Sequence, residues 1–185
     1  MTCNMKKLML PDFFQASEVP IVHKFYRNYF KDCYVCGDVD YIFGPNTAFF
    51  DHCEIHSIAR VSEGKAYITA ASTPAGQEFG LVFSHCRITG EEPDSVYLGR
   101  PWRDCAKTAF ICCELGDHIC PEGWQNWGKV RAEVLSDYIE YGNFGPGADC
   151  SGRSPLSRCL VNPEVETYFS KENVLGGEGG GRTAV

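Results

Sequence analysis

Phe30-Lys31-Asp32-Cys33-Tyr34-Val35 is the first of four copies of one pattern. The others are Phe50-Asp51-His52-Cys53-Glu54-Ile55, Phe83-Ser84-His85-Cys86-Arg87-Ile88 and Phe110-Ile111-Cys112-Cys113-Glu114-Leu115. Each reads Phe-x-x-Cys-x-aliphatic. Two residues past the aliphatic stands Gly37, Ser57, Gly90 or Asp117, all turn formers. The copies follow one another at about 20 to 33 residues, a solenoid-like spacing. The alternation Cys-x-aliphatic marks a strand with one buried face. Stacked in parallel, such strands set Phe on Phe and Cys on Cys, with the thiol acting as a small apolar filler. The expected architecture is all-β, a parallel β-helix whose coils hide their core only by covering one another.

Stacking also orders the outward positions. Glu54, Arg87 and Glu114 follow the last three repeat cysteines and predict a Glu–Arg–Glu surface ladder. Asp32, His52, His85 and Cys112 precede the four cysteines, which makes His52 and His85 neighbours on adjacent coils. Two histidines are an incomplete ligand set, so they read as solvated surface groups rather than a metal site. Cys33-x-x-Cys36 has half the spacing of a zinc site and no matching second pair. The eleven cysteines are odd in number and show no disulfide framework.

The chain has 185 residues, enough for one domain with a core, and a net charge of −7 that disfavours nucleic acid as a partner. No apolar run is long enough to span a bilayer, so no membrane partner is expected. Met1 to Leu10 carries two lysines and a short apolar patch that Pro11 and Asp12 interrupt, a poor export signal. Helix signals are few. Pro163 to Ser170 predicts a short helix capped by Asn162, Cys150 to Leu160 reads as loop, and the glycines from Gly176 to Gly181 predict fraying.

Chemistry concentrates in two segments, Val35-Cys36-Gly37-Asp38-Val39-Asp40-Tyr41-Ile42-Phe43-Gly44 and Leu98-Gly99-Arg100-Pro101-Trp102. A carboxylate among Val, Tyr, Ile and Phe is costly to bury without a cation, and Arg100 is the candidate partner for Asp40. The two are expected to meet across adjacent rungs. They read either as a catalytic pair or as a structural salt bridge between strands. Trp102 offers an indole face that suits a sugar ring. Asp38 reads as a turn or surface acid, and Trp124 and Trp127 as core or groove wall.

These two segments resemble the signatures of the pectin methylesterases (pectinesterases). The likeness extends to Tyr67-Ile68-Thr69-Ala70-Ala71-Ser72-Thr73-Pro74, Pro121-Glu122-Gly123-Trp124-Gln125-Asn126-Trp127 and Tyr141-Gly142-Asn143-Phe144-Gly145-Pro146-Gly147. It runs from about Arg27 to Gly177 and lies nearer bacterial than plant members. The resemblance implies a right-handed parallel β-helix of the pectin lyase-like kind. It also implies hydrolysis of methyl esters of homogalacturonan, with pectin as partner and no cofactor. Asp40 matches the family's nucleophile, Arg100 the arginine that keeps it ionised and aimed, and Trp102 a substrate-binding groove residue.

One family element is absent. The acid/base aspartate lies in a Gln-Asp-Thr motif about twenty residues before the nucleophile, and no such motif occurs here. Glu18 is the nearest acid and would be a weak substitute. Residues 1–24 carry no repeat or family motif and are expected to be irregular or unrelated, ahead of a β-helix over 25–177 and a flexible tail over 178–185. The chain thus resembles the C-terminal part of an esterase, with lowered activity or pectin binding alone as the alternative function. A first coil without a cover would expose Phe30 and open strand edges, which predicts self-association. The family is mostly exported, whereas this chain shows no export signal, so its compartment is not legible.

Overall fold

The computed structural model describes residues 4–5, 8–9, 27–60, 62–176 and 182–184. Two short strands come first, β1 (Asn4–Met5) and β2 (Leu8–Met9). The first full coil is β3 (Arg27–Lys31), β4 (Tyr34–Gly37) and β5 (Val39–Gly44). The second is β6 (Thr47–Asp51), β7 (Glu54–Ser57) and β8 (Ala66–Ala71). The third is β9 (Leu81–Ser84), β10 (Arg87–Gly90) and β11 (Val96–Gly99). The fourth keeps β12 (Lys107–Ile111) and β13 (Glu114–Leu115), and its third wall shrinks to single bridges at Ile119 and Trp124. Helix α1 (Ala132–Leu135) and strands β14 (Asp137–Tyr141) and β15 (Ser157–Leu160) follow. Helices α2 (Glu164–Tyr168) and α3 (Lys171–Leu175) and strand β16 (Arg182–Ala184) close the described chain.

Like strands of successive coils stack into three sheets, ordered β15-β14-β12-β9-β6-β3-β16, β1-β4-β7-β10-β13 and β11-β8-β5-β2. Every strand pairing among the described residues is parallel, which makes the molecule a parallel β-helix. The repeat sets the register. Phe30, Phe50, Phe83 and Phe110 pair in one row, and their rings stack at 4.8, 4.6 and 4.5 Å. Beside them Val35, Ile55, Ile88 and Leu115 are fully buried, each contributing about 1.5–3 kcal/mol. The repeat cysteines are buried as expected, and they also donate. Cys53, Cys86 and Cys113 point their Sγ at the carbonyls of Phe30, Phe50 and Phe83.

The phenylalanine row ends where Phe110 meets Glu140 on β14. Trp124 covers that end, with its ring 4.2 Å from Tyr138 and its Nε1–H donating to Glu140 Oε1 at 2.9 Å. Arg153 then seals Glu140, through Nε at 2.9 Å and Nη2 at 3.0 Å, with both side chains almost wholly buried.

Several expectations need correction. Phe30 is only 4% exposed, and β16, β1 and β2 pair along the outer edges of β3, β4 and β5. Cys150 to Leu160 is not all loop, because Ser157–Leu160 forms an edge strand on β14. Its half-exposed side chains lack the apolar alternation that sequence reading requires. Cys150 and Cys159 form a disulfide across that loop, which the lack of a spacing framework concealed. The helix expected over Pro163 to Ser170 exists as α2, and Asn162 Oδ1 accepts the Glu164 N–H at 3.0 Å. Helix α3 was not foreseen. Residues 10–26 and 177–181, including Glu18 and most of the glycine run, lie outside the described residues. Among the described residues no helix is long and apolar enough to cross a membrane.

Candidate active site

The β11-β8-β5 sheet carries the site. Strand β5 does not run regularly beside β8: Val39 pairs with Tyr67 and Ile42 with Thr69, so Asp40 and Tyr41 together oppose one residue. Such a bulge redirects side chains. Asp40 adopts a left-handed backbone with φ of 50°, uncommon for a residue other than glycine. Tyr41 turns inward, fully buried, with its hydroxyl 3.0 Å from Ser57 Oγ. Asp40 stays at the surface of the sheet, and its neighbour Asp38 is an exposed turn acid whose Oδ1 accepts the Val39 N–H.

Arg100 leaves the end of β11, where its N–H donates to Thr69 O at 3.0 Å. Gly99 before it is required by space, since a Cβ there would lie 2.1 Å from Thr69 Oγ1. Asp40 and Arg100 do meet, though not across adjacent rungs. They stand on the first and third coils with β8 between them, and the long guanidinium side chain spans the gap of about 10 Å. Nε donates to Oδ1 at 2.9 Å and Nη2 to Oδ2 at 2.7 Å. The side chains are 21% and 16% exposed, so the pair faces solvent while being largely screened from it.

Two aromatic rings hold the guanidinium. Arg100 Cζ lies 3.8 Å from the centroid of Tyr67 and 3.8 Å from that of Trp127. Such stacking suits a planar cation and fixes its plane. Trp102 donates its N–H to Ala71 O at 3.0 Å and rests its ring 5.3 Å from Phe43. Lys129 braces both tryptophans. Its Nζ donates to Pro101 O at 2.7 Å and Trp102 O at 2.6 Å, and sits 4.8 Å from the Trp127 ring. Desolvation pulls its pKa below the usual lysine range. Beyond Trp102 a cleft of about 370 Å³ opens along Thr73, Pro74, Asp104 and Lys129.

Asp40, Arg100 and Trp102 are thus brought together. Glu18 lies outside the described residues, and no hydrogen bond or ion pair joins Asp40 to a second carboxyl group among the described ones. Sequence reading assigned no role to Tyr67 or Lys129 and left Trp127 undecided. Tyr67 had a signal, since its outward position beside Val39 and Tyr97 puts it in the row that Arg100 must cross. Trp127 had none: its left-handed φ of 55° in a turn, not a strand period, aims it at Arg100.

The fold and site define a parallel β-helix protein with a carboxylate clamped by an arginine that two aromatic rings hold. Three comparisons narrow it. A family model described as Pectinesterase matches residues 15–178. Pectinesterase 31 of Arabidopsis thaliana is 40% identical over 141 residues, covering 75% of this chain and 43% of that protein. The pectin methylesterase from carrot superposes with a TM-score of 0.73 at 30% identity, covering 80% of this chain and 50% of that one. A pectin methylesterase solved in complex with a hexasaccharide gives 0.67 at 27%, covering 85% and 53%. The chain belongs to the pectinesterase family, and it spans about half the length of the relatives it matches or less.

Proposed function

We propose that this protein hydrolyses methyl esters of homogalacturonan to pectate and methanol. The bidentate Asp40–Arg100 pair, held open to solvent between two aromatic rings, carries the proposal. Arg100 grips both Asp40 oxygens and fixes their direction. An Asp40 oxygen attacks the ester carbonyl carbon and forms an acyl-aspartate, while the methoxy group leaves with a proton from an acid as methanol. Water then gives one proton back to that acid as it adds to the acyl carbon, and the galacturonic acid released loses its proton to solvent as Asp40 is restored. Trp102 and Trp127 supply apolar faces for the sugar rings flanking the reacting ester.

The acid must come from a second carboxyl group. Glu18 is the candidate this chain offers, and Glu18→Gln would then lower the rate by about two to four orders of magnitude. Pectin is an extracellular polymer, which places the activity outside the cell. The Cys150–Cys159 disulfide supports that placement, since such bonds persist in oxidising surroundings. Self-association is a companion proposal. Among the described residues β1 pairs with two of the four residues of β4, and unpaired strand edges favour pairing between chains. Sedimentation of dilute protein tests it, and a monomer at all concentrations refutes it.

The test of the activity is methanol release from highly methylated pectin by this chain and by Asp40→Asn. Release by the first and none by the second supports the proposal. Retention on a pectin column without methanol release would mean a binding protein, and would overturn it.

A further inference from the structure

One row of residues lies on the opposite side of the coil from this chemistry. Asp32, His52, His85, Cys112 and Gly142 each form the corner between the largest sheet and the next one, all with φ between 51° and 62°. The N–H of each of the first four donates to the last strand residue of the next coil, at 2.8 to 3.1 Å. One corner per coil sets their side chains in line on the surface, and the rings of His52 and His85 stack at 5.2 Å.

The histidines alone looked incomplete as ligands, but the fold adds two more. Helix α2 brings Glu166 Oε1 to 3.7 Å from His85 Nε2. Cys112 is the next corner, and one ligand atom each from His85, Cys112 and Glu166 lies within 4.8 Å of the others. Two features prepare these groups. Ser84 Oγ sits 3.0 Å from His85 Nδ1, which fixes the ring and leaves Nε2 for a ligand. Gly142 follows Cys112 in the row, and a Cβ there would lie 3.1 Å from Sγ, so glycine keeps that side of the sulfur clear. The other such cluster, Glu140 with Cys150 and Cys159, is already used by the Arg153 ion pair and the disulfide.

We propose that His85, Cys112 and Glu166 form a binding site for a borderline-soft divalent cation such as zinc, which fastens helix α2 to the coil corners. An imidazole, a thiolate and a carboxylate are the donors zinc takes, and tetrahedral bonding needs them about 3.4–3.7 Å apart. Closing from the present spacing takes side-chain adjustment of about 1 Å, with water in the fourth position. Binding converts the Cys112 thiol to thiolate and releases its proton to the buffer. The site is remote from Asp40, so it acts on stability and not on the reaction.

Cobalt(II) titration of the full chain tests this, because a cobalt–thiolate bond absorbs strongly in the near ultraviolet. The expected result is one equivalent bound with that band, displaced by zinc. The band is lost in Cys112→Ser and kept in Cys36→Ser and Cys105→Ser, whose cysteines are also partly accessible. Glu166→Gln, at an exposed position that folding tolerates, weakens binding at least about tenfold. Zinc raises the melting temperature of the parent chain and not that of Glu166→Gln. Absence of the band, or affinity unchanged by both Cys112→Ser and Glu166→Gln, overturns the proposal.

Discussion

Two arginine–carboxylate forks of nearly the same geometry occur in this solenoid, one on the β11-β8-β5 sheet and one where the phenylalanine row stops. Arg100 grips Asp40 at 2.9 and 2.7 Å, and Arg153 grips Glu140 at 2.9 and 3.0 Å. Their surroundings differ. Glu140 and Arg153 are 2% and 4% exposed, and further bonds saturate them: Trp124 Nε1–H to the carboxylate, and the guanidinium to Gly147 O and Pro121 O. Asp40 has no such surplus among the described residues, its backbone is left-handed, and the partner cation is held by ring faces that donate nothing to the carboxylate. A saturated fork ends a core, and an unsaturated one leaves oxygens for a substrate. The contact distance distinguishes neither, so burial and the remaining hydrogen bonds carry the assignment.

The largest expected effect breaks the cleft pair. Asp40→Asn removes the nucleophile and should lower methanol release by about four orders of magnitude or more. Unfolding by urea should change by no more than about 1–2 kcal/mol, because asparagine keeps the side-chain shape and its Oδ1 still accepts from Arg100. The reverse holds at the other fork. Arg153→Met leaves the buried Glu140 with the Trp124 N–H but without its cation, and should cost about 3–5 kcal/mol in urea unfolding. Its activity per folded molecule should stay near that of the parent. If Arg153→Met left stability intact and removed activity, the two forks would have been assigned the wrong way round.

The sequence carried this contrast unevenly. The Phe-x-x-Cys-x-aliphatic rows were legible because parallel stacking repeats one environment, so Phe30, Phe50, Phe83 and Phe110 announce one another. Asp40 and Arg100 were legible as a charge pair inside motif-rich segments. The bulge at Asp40 was not, because a register shift leaves no mark in composition and undoes the two-residue period. Glu140 and Arg153 were missed for a different reason. Glu140 stands where the row would place a phenylalanine, Arg153 reaches it from a loop, and the end of a pattern carries no period of its own. Glu166 beside His85 was invisible for the same cause, since a helix beyond the repeat delivers it.

A third buried ionisable group, His118, sharpens the comparison because it has no ion partner among the described residues. The ring is 1% exposed and packs against Gly90 and Gly116, and neither nitrogen has a hydrogen-bond partner among the described residues. Burial pulls its pKa down from the usual 6.5 to about 4. Between those values the unfolded chain binds more protons than the folded one, so stability rises with pH through that window. It is lost as pH falls from about 6.5 to 4, on the order of 3 kcal/mol in all, and is flat with respect to this group above 6.5. His118→Phe keeps the ring and removes this slope. Urea midpoints at both ends of the window measure the difference, and an equal slope in parent and variant would refute it.

The smallest expected effect comes from one substitution made at both forks. Arg100→Lys keeps the charge and loses the fork, and an ammonium cannot span the β8 rung while donating to both Asp40 oxygens. It also loses the flat stack between Tyr67 and Trp127, so Asp40 is neutralised but no longer aimed. The expected loss is about tenfold to a hundredfold in kcat, with KM little changed, because aim matters at the attacking step and not in substrate binding. Arg153→Lys loses the same fork where nothing is aimed, and should lower the urea midpoint while leaving kcat alone. A drop in kcat at Arg153, or in stability alone at Arg100, would show that saturation of the carboxylate is not what separates the two pairs.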